Sequence, residues 1–240
     1  MSVIDLGASD YSLMLHNELI EKSEVKVSFN DKTYSVFRDD GMSIEQVRDV
    51  DNKALFFAES RYLTGDNDAE YWMLSEIKNE LNGKIRKRFP TAHPACDCLD
   101  EDIELNNGRS YKNPYYLESE SIADVFSQIQ RGEITLTQTM IVPVYAYIHS
   151  DITVSLNPFG CRFDSGIIGF MLVSLSMLKE WGHNVKTGYL TSKHKSLIQT
   201  VFDSEINDIE SVFRNKYCLV QHEDGYYVSS HIDHLKENLH

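Results

Sequence analysis

The sequence predicts an α+β fold with a mainly antiparallel sheet and packed helices. Two observations support this fold class. Segments in which apolar and polar residues alternate occur near the start, in the middle and near the end of the chain, and turn-forming residues separate them. Helical patterns occur between these groups without a regular strand–helix–strand order, which argues against a doubly wound nucleotide-binding fold. The 240 residues suit a single domain, and 42% apolar residues are enough for a core.

A hairpin, a strand and a helix are predicted in the first third of the chain. Apolar and polar residues alternate on both sides of Asn-Asp-Lys in EVKVSFNDKTYSVFR, which indicates a β-hairpin. A short apolar strand follows in KALFFA. The spacing of Tyr71, Leu74, Ile77 and Leu81 then predicts a helix with these side chains inward, weakened at its far end by Gly83.

Residues 89–116 are predicted to form a long loop or an insertion. They contain three of the five prolines, Pro90, Pro94 and Pro114, together with clustered acids and the turn sequence Asn-Asn-Gly. We expect residues 1–240 to form one α+β domain. If the chain divides, we expect the boundary in this segment.

The second half of the chain is predicted to contain helices, three strands and a terminal hairpin. The first helix lies in SESIADVFSQIQRGEI, and Gly132 ends it. The strands lie in TQTMIVPVYAYIHS, DITVSLN and GIIGFMLVSL, and Pro143 marks the first of them as an edge strand or the site of a bulge. The longest helical stripe runs through TSKHKSLIQTVFDSEINDIESVFRN, before the hairpin KYCLVQHEDGYYVSS and the helix HIDHLKENLH.

The net charge of −14 limits the classes of partner. With 23 basic and 37 acidic residues, the chain is unsuited to nonspecific nucleic-acid binding, which needs a cationic surface. Two interpretations remain for the acidity: solubility, or an acidic face that imitates nucleic acid and occupies the cationic groove of another protein.

An acidic segment is the candidate for such a binding face. Five acids occur in the eight residues DCLDEDIE, namely Asp97, Asp100, Glu101, Asp102 and Glu104. The run KIRKR from Lys84 to Arg88 is basic, so the charge is patchy and not uniformly acidic.

Several classes of protein are disfavoured by features the sequence lacks. No apolar stretch reaches the roughly 18–20 residues of a membrane span. The first residues lack a basic region and a cleavage site, so we expect no signal peptide. Four cysteines are too few for a disulfide framework at this length, which fits a reducing cytoplasm. The P-loop, HExxH and dinucleotide-binding motifs are absent.

Two histidine-containing segments have residue types that can bind a metal ion. His93, Cys96 and Cys98 are three potential zinc ligands in HPACDC, but their spacing is unusual and no second ligand pair follows. His231 and His234 are three residues apart near the end of the chain. We predict no metal site and no cofactor.

The stretch YIHSDITVSLNPFGCRFDSGIIGF, residues 147–170, contains the candidate catalytic residues His149, Cys161 and Asp164. By residue type they could serve as base, nucleophile and orienting acid. A cysteine nucleophile needs a base within hydrogen-bond reach. If the two strands around Asp151 pair as a hairpin, His149 lies at the turn, about six residues or roughly 20 Å from the far end of the second strand.

The same stretch can also be a structural corner that presents a binding surface. Pro158, Gly160, Gly166 and Gly169 permit tight turns and close backbone approaches. Asp164 can pair with Arg162 or accept backbone N–H groups across the turn.

The stretch resembles a family of bacteriophage and mobile-element proteins. The family signature runs Tyr-x-His-Ser-Gly, a Ser/Thr-rich strand, and then Pro-Phe-x-Cys-x-Trp-Asp-Ser-Gly-x-x-Gly-Phe. The matching positions are Tyr147, His149, Ser150, Ser155, Pro158, Phe159, Cys161, Asp164, Ser165, Gly166, Gly169 and Phe170. Upstream, RYLTGD is similar to the Tyr-x-Leu-Gly-Asp block of that family, so the likeness runs from about Asp51 to Leu178. Asp151 replaces a Gly of the signature, Phe163 replaces its Trp, and Ile167-Ile168 replaces a polar–apolar pair.

The resemblance implies a phage accessory protein that acts in the host cytoplasm. We expect it to bind and inhibit a host protein, such as a component of a CRISPR or restriction defence, through the five acids named above and Arg162. We expect no catalysis of its own, no direct nucleic-acid partner and no membrane association. The oligomeric state is left open.

Two other functions remain open at this point. The first is a small hydrolase or transferase that uses Cys161, His149 and Asp164. The second is a nucleotide-binding sponge, for which Arg162 and Arg61 are the candidate phosphate ligands.

Overall fold

The computed structural model of the protein describes residues 3–48, 51–58, 63, 65–149, 152–161, 163–221 and 227–239. The chain divides into two compact units, one of residues 1–49, 149–153 and 207–240 and the other of residues 50–148 and 154–206. Both units combine strands with helices, and the sheets are mainly antiparallel. The predicted α+β fold is therefore confirmed.

The elements are numbered in chain order. They are β1 (Val3–Asp5), α1 (Tyr11–Glu21), β2 (Glu24–Phe29), β3 (Lys32–Arg38), α2 (Ile44–Val47), β4 (Leu55–Ala58), α3 (Ala69–Arg88), β5 (Asp102–Glu104), β6 (Ser110–Lys112), α4 (Ile122–Gln130), β7 (Thr139–Ile148), β8 (Ile152–Ser155), β9 (Ser165–Ser174), α5 (Leu175–Glu180), α6 (Ser192–Phe213), β10 (Tyr217–Gln221), β11 (Tyr227–His231) and a C-terminal 3₁₀ helix (Ile232–Asn238).

The first unit contains a five-stranded sheet in the order β1-β2-β3-β10-β11. The predicted hairpin is β2–β3, and its two-residue loop places Asn30 and Asp31 at φ 50° and 61°, as a tight turn with both central residues left-handed requires. The core of this unit joins the sheet to α1 and the 3₁₀ helix. Its buried residues include Leu15, Val27 and Leu235.

The second unit contains a four-stranded sheet in the order β4-β9-β7-β8. Helices α3 and α4 pack on one face of this sheet, where the ring of Phe126 lies 5.2 Å from that of Phe170. The second half of β9 is buried throughout, as its continuous apolar sequence predicts.

Pro143 was predicted to mark either an edge strand or a bulge, and the structure agrees only with the second. Strand β7 is not an edge strand, because β9 and β8 lie on its two sides. Strand β8 has only four residues against ten in β7, so it can pair with fewer than half of them, which leaves room for a residue without an N–H. An irregularity in register, the other predicted setting, follows at once between Val144 and Tyr145.

Helix α3 was predicted, but one of its inward residues was assigned wrongly. Tyr71 is 66% exposed and packs edge-on against Trp72, while Met73, Ile77 and Leu81 form the buried stripe. Tyr71 and Ile77 are six residues apart, which separates them by about 120° around a helix. Gly83 does not end the helix, which continues to Arg88.

Residues 89–116 lie wholly within the second unit. They contain the small hairpin β5–β6, and Cys98 and Ile103 are fully buried in the core formed with α3 and α4. The segment is therefore packed onto the unit by several apolar side chains, of which Cys98 and Ile103 are the most deeply buried. No helix in the described ranges is both long and apolar enough to cross a membrane.

Candidate functional site

The predicted site lies on the β8–β9 loop, residues 156–164, and at the adjoining ends of β7 and β9. Both ends of the loop are held by hydrogen bonds. The N–H of Asn157 donates to Ser155 Oγ at 2.9 Å, and the N–H of Ile148 donates to the carbonyl of Asp164 at 2.8 Å. The Ser165 hydroxyl donates to the carbonyl of Cys161. The loop is therefore tied to the sheet on either side of Cys161.

Cys161 and Asp164 lie close together. The Cys161 Sγ atom is 3.8 Å from Asp164 Oδ2, so the thiol donates to the carboxylate. A nucleophilic cysteine needs a neighbouring base or cation that stabilises the thiolate. A carboxylate next to a thiolate has the same charge, and it cannot provide that stabilisation.

His149 lies at the end of β7 and is exposed. It belongs to the first unit, whereas Cys161 and Asp164 belong to the second. Arg162, Arg61, Ser150 and Asp151 lie outside the described residues, so the expected pairing of Arg162 with Asp164 stays a prediction. The catalytic role of His149, Cys161 and Asp164 also stays a prediction.

Apolar side chains are exposed on and beside the loop. Phe163 is 97% exposed and Ile167 is 47% exposed. Ile167 lies opposite Tyr145 in the β7–β9 pairing, and the ring of Tyr147 lies 5.9 Å from that of Phe159. Tyr145 and Tyr147 continue the face of β7 that carries Ile141, which is partly buried against the core of the unit. We call these five residues, Tyr145, Tyr147, Phe159, Phe163 and Ile167, the aromatic corner.

Two glycines of the signature blocks contact the same strand. A Cβ atom on Gly65 would lie 2.7 Å from the carbonyl of Phe56, and one on Gly169 would overlap the carbonyl of Phe57. Both carbonyls belong to β4, and Asp66 also accepts the N–H of Phe56 at 2.9 Å. Gly65 and Gly169, far apart in sequence, therefore both pack closely against β4, where a larger residue would clash with the backbone.

The acidic segment is partly occupied by its own hydrogen bonds. Asp97 and Asp100 close a turn, with Leu99 N donating to Asp97 Oδ1 at 2.7 Å and Asp97 N donating to Asp100 Oδ2 at 2.8 Å. Glu101 and Asp102 flank Lys112, at N–O distances of 2.7 and 3.4 Å. Glu104 is exposed.

These contacts reduce the charge that the segment can offer to a partner. The two carboxylates beside Lys112 raise the pKa of that lysine and keep it charged, so they are partly neutralised. A binding role for the five acids stays a prediction.

The cysteines of HPACDC are separated by burial. Cys98 is fully buried, which raises the pKa of its thiol to about 11, whereas the Cys96 thiol points to the carbonyl of Glu104 at 3.6 Å. Across the described ranges, His, Cys, Asp and Glu form no group of three or more that could hold a metal ion.

A Ser–His–Asp contact in the first unit was not predicted. His231 Nε2 lies 3.1 Å from Ser211 Oγ, and His231 Nδ1 lies 3.7 Å from Asp233 Oδ2. These residues line a cavity of about 330 Å³. The sequence signal would have been the His231–Asp233 pair after a strand, but Ser211 is 20 residues earlier on α6.

The hydrogen-bond directions in this cluster oppose nucleophilic catalysis. The N–H of Asp233 donates to His231 Nδ1 at 3.2 Å, so the neutral ring carries its proton on Nε2 and donates it to Ser211. Ser211 in turn donates to the carbonyl of Asn207 at 2.7 Å. A catalytic histidine must accept the serine proton through Nε2. Here His231 instead caps the first turn of the 3₁₀ helix.

Comparisons with known proteins identify no relative of this chain. No protein-family model matches the chain, and neither a curated protein nor a solved structure is significantly similar to it.

Proposed function

We propose that this protein binds a protein of a bacterial host and blocks it, without catalysing a reaction. It is the accessory protein of a bacteriophage or mobile element and acts in the host cytoplasm. The signature in residues 147–170 supports the origin. The observation that carries the binding function is the aromatic corner, in which Phe163 is almost fully exposed.

Phe163 has the properties of an interface anchor. An aromatic ring that becomes fully buried in a complex contributes about 1.5–3 kcal/mol from the area removed from water. Interface energy is concentrated in a few such rings, which are surrounded by residues that exclude water. Tyr145, Tyr147 and Ile167 lie on one face of the sheet beside the loop, and they can form part of the same interface.

The target class follows from the resemblance and from the charge. A phage accessory protein gains from blocking a defence system, such as restriction or CRISPR interference, and the proteins of these systems have cationic grooves for nucleic acid. The first unit carries 17 acidic and eight basic residues, a net charge of −9, and the second unit carries −5. Most of the net negative charge therefore belongs to the first unit, and the segment around Asp100 belongs to the second unit.

The test uses bacteria that carry a restriction or CRISPR system and express the protein during phage challenge. We expect the wild-type protein to restore plaque formation and Phe163→Asp to abolish the effect. Tyr71→Asp is the matched control, because it introduces the same change at an exposed aromatic residue of the same unit. Failure of wild type to protect phage from any defence tested, or equal loss with Tyr71→Asp, would contradict the proposal.

Two further variants separate binding from catalysis. If the protein acts by binding, Cys161→Ala and His149→Ala retain plaque formation. If each abolishes it while the melting temperature is unchanged, the enzyme alternative is correct. Soluble and folded protein is verified for every variant by circular dichroism.

A further inference from the structure

An open groove of about 770 Å³ lies along the last turns of α3 in the second unit. One side is formed by Lys84, Lys87 and Arg88. Lys87 and Arg88 lie three and four residues after Lys84, so each is its neighbour on the helix surface. Tyr115 and the segment that carries Thr135 complete the lining. We call this feature the α3 groove. Its volume falls within the range of small-molecule sites, about 300–1,000 Å³.

The charges that line the α3 groove leave a local positive excess. Lys84 pairs with Glu80 at 2.6 Å and donates to the carbonyl of Thr135. Glu133 also lines the groove, but Arg131 binds both of its carboxylate oxygens at 2.7 Å. Within the described part of the chain, neither Lys87 nor Arg88 meets a carboxylate.

Cations at the C-terminal end of a helix are commonly explained by their favourable interaction with the helix dipole alone. The dipole places about half a negative charge at the C-terminus, which the two uncompensated cations of the groove exceed. The groove differs from an ordinary helix end because other groups converge on it. The side-chain hydroxyls of Tyr115 and Thr135 have no hydrogen-bond partner among the described residues.

We propose that the α3 groove binds a small phosphorylated compound with an aromatic ring, of the nucleotide class. Lys87 and Arg88 hold the phosphates, the ring stacks on Tyr115, and the free hydroxyls donate to polar groups of the ligand. This site is separate from the aromatic corner and does not depend on the proposed host-protein interaction.

Electrostatic screening favours a small ligand over a nucleic-acid polymer in the α3 groove. At physiological salt the Debye length is about 8 Å, so a compact ligand in the groove responds mainly to Lys87 and Arg88. A nucleic-acid strand extends further and meets a molecule with a net charge of −14. The groove therefore favours a single nucleotide over a polymer.

The experiment measures binding by isothermal titration calorimetry with the full chain. The probes are the 5′-diphosphates of adenosine, guanosine, cytidine and uridine, with the four nucleosides and inorganic phosphate as the separate parts. We expect at least one diphosphate to bind, and the matching nucleoside and phosphate alone to bind at least about tenfold more weakly, since each lacks one half of the contacts.

Three substitutions test the location of the site. Lys87→Ala and Arg88→Ala should each weaken binding about tenfold or more, because each removes a charged hydrogen-bond donor. Arg86→Ala is the matched control, since it removes the same charge from the same basic run outside the groove lining. We expect it to change the dissociation constant less than about twofold.

Three results would overturn the proposal. The first is no binding of any diphosphate at about 1 mM. The second is equal weakening by Arg86→Ala, which would indicate general electrostatic attraction. The third is displacement of the diphosphate by a 20-nucleotide single strand of higher affinity with a steep salt dependence, which would make the groove a nucleic-acid site.

Discussion

Gly169 and Gly166 show how residues of one motif can have different roles. Both belong to β9 and to the stretch of residues 147–170. A Cβ atom at position 169 overlaps the backbone of β4, whereas one at position 166 meets nothing within 4 Å. The first glycine is needed for close packing of two strands. The second is not explained by packing within the described residues.

This difference gives a prediction at the residue scale. Gly169→Ala should destabilise the protein by about 1–3 kcal/mol, because the sheet must move to admit the methyl group. Gly166→Ala should be nearly neutral. Thermal unfolding measures both, and about 2–4 °C of Tm is expected per kcal/mol for a chain of this size. Equal effects of the two substitutions would contradict the packing argument.

For several site residues the sequence gives the residue type but not the hydrogen-bond partner. The types of Cys161 and Asp164 suggested catalysis, but the direction of their hydrogen bond depends on a fold that residue types do not specify. Glu80 is a charged residue on a helix, and such residues are usually exposed to solvent. Its side chain is nevertheless 1% exposed and accepts the N–H of Gln138 at 3.0 Å. The contact spans 58 residues, so local pattern could not reveal it.

At the scale of elements, segments with a clear apolar period were predictable, and a helix with apolar residues on both faces was not. Helix α3 was identified from its apolar spacing, whereas α1 was missed. In α1 the buried Leu15 and Leu19 are accompanied by exposed Leu13, Met14 and Ile20, which obscures the period. The α3 groove illustrates the same limit for sites. Its basic run is visible in the sequence, but Tyr115 and Thr135 reach it only through tertiary packing.

The 3₁₀ helix depends on a histidine in its neutral form. Burial lowers the pKa of His231 from the usual 6.5, with Lys216 and His234 acting in the same direction and Asp233 against it. Tyr217 packs edge-on against the ring, and Asp208 and Glu210 of α6 line the same cavity. The unfolded chain therefore takes up a proton at His231 before the folded chain does.

The pH dependence of this cap is a prediction at the scale of elements. The contribution of His231 to stability is present above pH 6.5 and is lost as the pH falls towards its lowered folded pKa. His231→Asn keeps a capping oxygen but does not titrate. We expect the drop in Tm between about pH 7.5 and about pH 5.5 to be smaller in His231→Asn than in wild type.

A control separates this effect from acid sensitivity in general. Asp208 has a pKa raised by burial, and this acts in the opposite direction, stabilising the fold as the pH falls. The comparison therefore uses the difference between wild type and variant and not the wild-type curve alone. A His231→Asn curve parallel to wild type would exclude the capping role.

At the scale of the whole molecule, the acidity has a cost in stability. A net charge of −14 repels itself in the compact state, and salt screens this repulsion. Raising NaCl from about 20 to about 300 mM shortens the Debye length roughly fourfold, so we expect the Tm to rise. A Tm that is unchanged or falls would mean that local ion pairs, such as Lys84–Glu80, outweigh the overall charge.

The meeting of Gly65 and Gly169 at β4 has a consequence for the evolution of the gene. Mutations at these glycines are removed by selection for folding, whichever partner the protein binds. The backbone of the β8–β9 loop is also constrained, because hydrogen bonds hold it to the sheet at Asn157 and Asp164. The side chain of Phe163 is almost fully exposed, so its replacement leaves the packing of the unit unchanged. Among related chains the two glycines should therefore persist while the residue at position 163 varies.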